Sequence, residues 1–220
     1  MMTKWTQLVS VSFTRRLEMQ PEKVEAIFEV ANKLFVKQGY MKTSVDEIAR
    51  DAMIAKGTIY NYFDSKESIF LALLEKVFAE AKIEIMLKID QANTFEDKFR
   101  AFILEPIKSF VSDYQLMLQI LNEDSPIYFK KLREFRAKLL REFSEILESI
   151  FKFGTEQGVI KPKYAEKIEK IVEMMFACIL VGGANVKINI TEHKLQEFVE
   201  YHMLHTEILI DGFTNKEQIT

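Results

Sequence analysis

The chain has 220 residues and a formal net charge of −3, with 48% of its residues apolar, which is material for one large or two small domains. A lone Cys178 excludes an internal disulfide framework and suits a reducing cytoplasm. No apolar run has the length of a bilayer span, and the opening MMTKWTQLVSVSF is too weakly apolar for a signal peptide, so a cytoplasmic protein with no membrane partner is expected. With only four prolines and seven glycines, and long stretches rich in Glu, Lys, Leu, Ile and Phe, the chain reads as all-α.

Residues 1–20 show no clean period and read as an N-terminal extension, either a loose or packed terminus or a basic arm carrying Lys4, Arg15 and Arg16. Pro21 suits a first helical turn, and Ile27, Val30, Ala31, Leu34 and Phe35 then recur at helical spacing up to Gly39. Thr43 or Ser44 caps a second helix, with Glu47 placed to complete a capping box with Ser44. A break follows at Met53-Ile54, and a new helix begins at Lys56. Ala49, Ala52, Ile54 and Ile59 supply the small and branched contacts of two helices crossing over a short turn, a helix-turn-helix. The other side of the second of these helices carries Lys56, Gly57, Thr58, Tyr60, Asn61 and Tyr62, groups suited to phosphates and base edges. Lys56 is expected to neutralise phosphate, Thr58 and Asn61 to reach bases, Tyr60 to donate to phosphate, and Gly57 to allow close backbone approach. Phe63 reads as core and Tyr62 as either. Ser65 caps the next helix with Lys66 beside it, a second candidate for phosphate. Residues 1–66 carry ten Lys/Arg and eight Asp/Glu, a net of +2 that leaves −5 for the remainder, so a mildly basic head sits on an acidic body.

Residues 24–75 resemble the DNA-binding domain of the TetR family of bacterial transcriptional regulators. The resemblance is carried by AIFEVANKLFVKQGY at 26–40, TSVDEIA at 43–49, KGTIYNYF at 56–63 and SKE at 65–67. It departs from the family pattern twice: Met53 stands where the turn usually has glycine, and Ala55 where Ser or Thr commonly caps the recognition helix. The resemblance implies an N-terminal three-helix helix-turn-helix domain (21–66) followed by a helical-bundle effector-binding and dimerisation domain (67–220). It also favours a phosphate contact for Thr43, giving a DNA-binding set of Thr43, Ser44, Lys56, Gly57, Thr58, Tyr60, Asn61, Tyr62 and Lys66.

Beyond Ser65, a long helix runs through Ile69, Leu73, Val77, Phe78, Ala81, Ile85 and Ile89. Thr94 with Asp97 caps another, bearing Phe99, Phe102, Ile103 and Phe110, which Pro106 is expected to kink or break. Asp113 opens a segment with Tyr114, Met117, Leu118 and Leu121. Ser125-Pro126 starts a helix reaching to about Gly158. After Pro162, two more are expected at about 163–187 and 192–212, the last capped by Thr191 and ended by Gly212.

The aromatic and methionine content of this body fits an adaptable apolar cavity or an ordinary core, and the resemblance favours an effector pocket. Its candidate lining is Met86, Phe99, Phe102, Phe110, Tyr114, Met117, Phe135, Met174 and Phe176. The last two helices carry apolar residues on more than one face, which points to a homodimer through Ile171, Met175, Phe176, Ile179, Gly183, Phe198, Val199 and Met203. His202 and His205 lie three apart, but no Cys or carboxylate joins them at ligand spacing, so no metal is expected. There is no phosphate loop, nucleophile elbow or HExxH, hence no catalytic residue and no cofactor. The expected function is a dimeric repressor bound to a palindromic double-stranded operator and released by a small apolar effector. A regulator of the same fold controlled by a protein partner is the alternative.

Overall fold

The computed structural model describes residues 21–106, 126–171, 174 and 192–215, and it is all-helical there. In chain order the helices are α1 (Pro21–Gln38), α2 (Val45–Asp51), α3 (Lys56–Tyr62), α4 (Lys66–Gln91), α5 (95–106), α6 (Pro126–Glu156), α7 (Pro162–Ala165) and α8 (Glu192–Phe213). Their starts follow local chemistry. Pro21, Pro126 and Pro162 each stand first in a helix, where a missing N–H costs nothing. Ser65 caps α4 reciprocally with Ser68, each backbone N–H donating to the other's hydroxyl at 3.1 Å. The Asp97 N–H donates to the Thr94 hydroxyl at 3.1 Å ahead of α5. Gly39 ends α1 with φ 87°, a conformation in which a Cβ would be strained.

The chain packs as two compact units that divide at Glu80–Ala81. The division falls inside α4 and not ahead of it at residue 66, because the first turns of α4 bury Ile69, Phe70, Leu73 and Leu74. Phe70 meets the ring of Phe35 edge-on at 5.3 Å and that of Tyr40 at 5.1 Å. Val24, Ile27, Phe28, Ala31, Leu34 and Phe35 form the buried stripe of α1, and Phe28 meets Phe63 at 5.6 Å.

In the second unit, Phe95 and Phe99 of α5, Phe151 of α6 and Phe213 of α8 form one closed aromatic cluster, with Tyr164 of α7 at its edge. Ring centroids in it lie 5.1–6.0 Å apart, the range favoured by tilted and edge-on pairs. Gly154 makes room for it, since a Cβ there would come within 2.6 Å of the Phe95 ring and 2.9 Å of Ile160. Among the described residues one isolated antiparallel bridge, Ile160 with Thr214, ties the end of α6 to the end of α8. Polar clamps join further helices: Lys82 of α4 to Glu142 of α6 at 2.9 Å, and Arg100 of α5 to both Glu207 oxygens of α8 at 2.6 and 2.8 Å.

Two expected boundaries move. A continuous helix from 163 is interrupted after Ala165, where Glu166 and Lys167 form a turn before the chain becomes helical again at 168–171. Gly212 does not end α8, which continues to Phe213 because that side chain is buried against Phe151. The expected cap Thr191 and the segment opened by Asp113 lie outside the described residues, as does residues 1–20 of the extension.

Candidate nucleic-acid interface

α2 is held at its start by a complete capping box. The Glu47 N–H donates to the Ser44 hydroxyl at 3.2 Å, and the Ser44 N–H donates to the Glu47 carboxylate at 2.8 Å. The Ser44 hydroxyl in turn donates to that carboxylate at 2.9 Å. These bonds, with a further one from Gln38, hold the Glu47 carboxyl below the usual range. Ser44 is therefore the cap and remains exposed. Thr43 is 2% exposed, and its hydroxyl donates to the Gly39 carbonyl at 2.8 Å, so it serves as an internal strut of the α1–α2 loop.

The turn after α2 follows the two-bond pattern of a left-handed helix end. The Ile54 N–H donates to the Ala49 carbonyl at 2.9 Å and the Met53 N–H to the Arg50 carbonyl at 3.1 Å. Met53 sits at φ 55°, where glycine is favoured, and its side chain is 94% exposed, so no packing offsets a strain of about 1 kcal/mol. α3 then starts at Ala55 without a side-chain cap, its carbonyl accepting from Thr58 at 2.8 Å and Ile59 at 3.3 Å.

With Ile59 fully buried and Phe63 beside it in the core, the seven-residue α3 is fixed in rotation. Its outward face is then Lys56, Gly57, Tyr60 and Asn61, all exposed, with Thr58 and Tyr62 half-buried at the margins. A Cβ at Gly57 would meet nothing within 4 Å, so its bareness serves no neighbour inside the chain. Lys56 pairs with Asp46 in the first turn of α2 at 2.7 Å. That partner was not legible in the sequence, because ten residues and a turn separate the two.

Lys66 has a different task from the one expected. Its ammonium donates to the carbonyls of Tyr40 at 2.6 Å and Thr43 at 2.8 Å and sits 4.2 Å from the centre of the Tyr40 ring. It ties the α1–α2 loop to the start of α4 and thereby supports the reading helices from behind. The carbonyls it satisfies come from residues more than twenty positions away, so no local pattern announces the role.

The arrangement is a short, rigidly seated helix showing hydrogen bonders and one bare backbone segment, backed by a capped partner helix. Residues 27–73 match the family described as bacterial regulatory proteins, tetR family. The HTH-type transcriptional regulator YhgD of Bacillus subtilis is 31% identical over 149 residues, 66% of this chain and 75% of that protein. The chain belongs to the TetR family. It is a transcriptional regulator and not an enzyme, as its family and relatives are. The fatty acid metabolism regulator protein of Bacillus subtilis is 24% identical over 202 residues, 91% of this chain and all of that protein. Among solved structures, the transcriptional regulator FadR from Bacillus subtilis in complex with stearoyl-CoA has the same fold, with a TM-score of 0.67 at 24% identity, covering 86% of this chain and 98% of that one.

The body of this TetR-family chain places the other candidates less kindly. Phe99 is fully buried within the aromatic cluster, and Phe102 is buried against Phe143 at 6.1 Å, so both fill core where a cavity lining was expected. Phe135 is buried and Met86 half-buried, while Met174 is exposed. Phe110, Tyr114, Met117 and Phe176 lie outside the described residues. Of the dimer set, Ile171 is buried within its own chain, Val199 is half-buried and Met203 exposed. Met175, Ile179 and Gly183 lie outside the described residues, as does the Phe198 side chain. α8 buries Thr206, Ile210 and Phe213 on one face and leaves Tyr201, Leu204 and Ile208 at about 60% exposure on the other. Those three were missed, although their spacing of three and then four is a helical stripe. Thr206 hid the assignment: a polar residue reads as outward, yet its hydroxyl donates to the His202 carbonyl at 2.7 Å and is satisfied in the core.

No helix of the described residues is long and apolar enough to cross a membrane. They contain no cluster of His, Cys, Asp and Glu fit to hold a metal ion.

Proposed function

We propose that this regulator is a dimeric repressor that lays α3 in the major groove of a palindromic operator and is released when a small, largely apolar effector binds its second unit. The observation that carries the reading is the outward face of α3, where Lys56, Gly57, Tyr60 and Asn61 stand clear, with Thr58 at their margin, while Ile59 and Phe63 lock the helix beneath them. In this reading Thr58 and Asn61 reach base edges, and Lys56, Tyr60 and the exposed Ser44 meet phosphate. The dimer is supported by the exposed apolar stripe Tyr201, Leu204 and Ile208 on α8, and two-fold symmetry then sets paired α3 helices about 34–36 Å apart. A small apolar effector acts only through a difference in its affinity for the bound and released states. Long-chain acyl-CoAs are the first compounds to try, since a relative of the same fold was crystallised with stearoyl-CoA.

The test is selection of duplexes from a random pool by the purified protein, followed by titration in increasing salt and in the presence of acyl-CoAs. A palindromic consensus whose binding weakens with salt and with acyl-CoA supports the whole reading. Asn61→Ala should shift the preferred base at one position by an effect of roughly 1–3 kcal/mol. Binding insensitive to every apolar ligand, with no ligand raising the melting temperature, points to control by a protein partner. Paired Leu204→Glu and Ile208→Glu changes should give folded monomers by sedimentation, and a dimer that survives them places its interface elsewhere.

A further inference from the structure

The three acidic side chains of α2 are each engaged within the chain, but only one of them engages α3. Glu47 is held by the Ser44 cap, and Asp51 pairs with Arg50 at 2.9 Å. Asp46 instead reaches Lys56 with both carboxylate oxygens, at 2.7 and 2.9 Å. Both partners are at least half exposed, and both sit on backbones that the buried Ile48 and Ile59 hold in place. A carboxylate this close to a surface that meets a polyanion is repelled by it, so it weakens binding to any phosphate backbone.

Resting on the reading of α3 given above, we propose that Asp46 is an internal substitute for DNA phosphate. Its carboxylate occupies the Lys56 ammonium in the free protein, and backbone phosphate must displace it before Lys56 contributes to binding. The hydrogen bond from Lys56 to Asp46 holds the ammonium above the ordinary lysine range, consistent with a cation already matched. The pair is exposed and therefore weak, which lets phosphate exchange with it instead of being shut out. The consequence is a restrained affinity for unrelated DNA: the lysine that would otherwise add one phosphate contact on every duplex is partly neutralised beforehand. Discrimination then depends more heavily on Thr58 and Asn61.

The experiment uses the full chain and a fluorescein-labelled duplex of random sequence, with anisotropy measured across a salt series. Asp46→Asn should raise affinity for this duplex about three- to tenfold at low salt and steepen the log–log salt slope by about 0.9, one additional phosphate contact. In a Lys56→Gln background the same change should give a clearly smaller gain, the part that comes from removing a repelling charge alone, and should leave the salt slope close to that of Lys56→Gln. A gain as large without Lys56 as with it is simple removal of a repelling charge and overturns the proposal, as does Asp46→Asn binding like wild type. Asp46→Ser serves as the second variant, and circular dichroism melts establish that each variant is folded. If the wild-type protein itself shows no salt-dependent duplex binding, the reading of α3 fails together with the proposal, a result distinct from failure of the proposal alone.

Discussion

The first unit turns the aromatic residue Tyr60 of α3 toward the surface, with Tyr62 half-buried beside it, over a core of Phe28, Phe35, Phe63 and Phe70. The second unit closes Phe95, Phe99, Phe151 and Phe213 on one another around a glycine. The difference lies in how tightly each side chain is coupled to folding. On α3, anchoring is concentrated in Ile59 and Phe63, so the outward residues are free to be chosen for what they touch. In the aromatic cluster every ring is a neighbour's wall, and a change made for one purpose is felt as a change in packing. Function is separable from stability in the first region and inseparable from it in the second.

The largest expected effect tests that coupling. Phe99→Ala should cost about 3–5 kcal/mol of stability, measured by denaturant unfolding, because the ring leaves a cavity among three others. A loss under about 1 kcal/mol would mean that the cluster already has slack, and Phe99 would return as a candidate pocket wall. Gly154→Ala probes the same place from the opposite direction. The added methyl meets the Phe95 ring, and overpacking should destabilise by about 1–3 kcal/mol even though alanine is the better helix former.

In the first unit, Lys66→Met should lower stability by about 1–3 kcal/mol, since it removes the ammonium from the Thr43 carbonyl and leaves the Tyr40 carbonyl only the Thr43 N–H at 3.3 Å. Its salt dependence of DNA binding should stay close to wild type. A slope shallower by one phosphate contact would show that Lys66 also reaches the backbone and would restore the role expected from sequence. Met53→Gly is the mildest of the stability tests. It removes the left-handed strain from a side chain that packs on nothing, so the protein should gain a few tenths of a kcal/mol to about 1 kcal/mol, offset in part by the entropy of glycine in the unfolded chain. A lower melting temperature would mean that the methionine is favoured for reasons beyond the turn. Smallest in stability but sharpest for the comparison is Gly57→Ala. It should raise helix stability by up to about 1 kcal/mol while weakening DNA binding, because the new methyl occupies space that is empty in the free protein. An alanine variant that binds as well as wild type would show that the backbone of α3 does not come close to the DNA.

What the sequence determined by itself was whatever depends on neighbours a few residues apart. The Ser44–Glu47 capping box, the proline starts at 21 and 126, the Ser65 and Thr94 caps, the left-handed position of Met53 and the missing cap at Ala55 are all local. Backbone chemistry leaves few alternatives at such spacings. The outward face of α3 was legible for the same reason, since fixing Ile59 and Phe63 inward fixes the rest of a single helix. Tertiary structure decided everything that required two distant segments to meet. It turned Thr43 inward onto Gly39, drew Lys66 onto the loop behind α2, set Asp46 against Lys56, and packed Phe99 into a core where a pocket lining was equally compatible with the pattern. On α8 it put Thr206 inside and Leu204 outside, against the polarity of both. Hydrophobic periodicity gives a helix its stripe but not the identity of the surface that covers it, and a polar group satisfied by its own helix's carbonyl carries no outward sign of being buried.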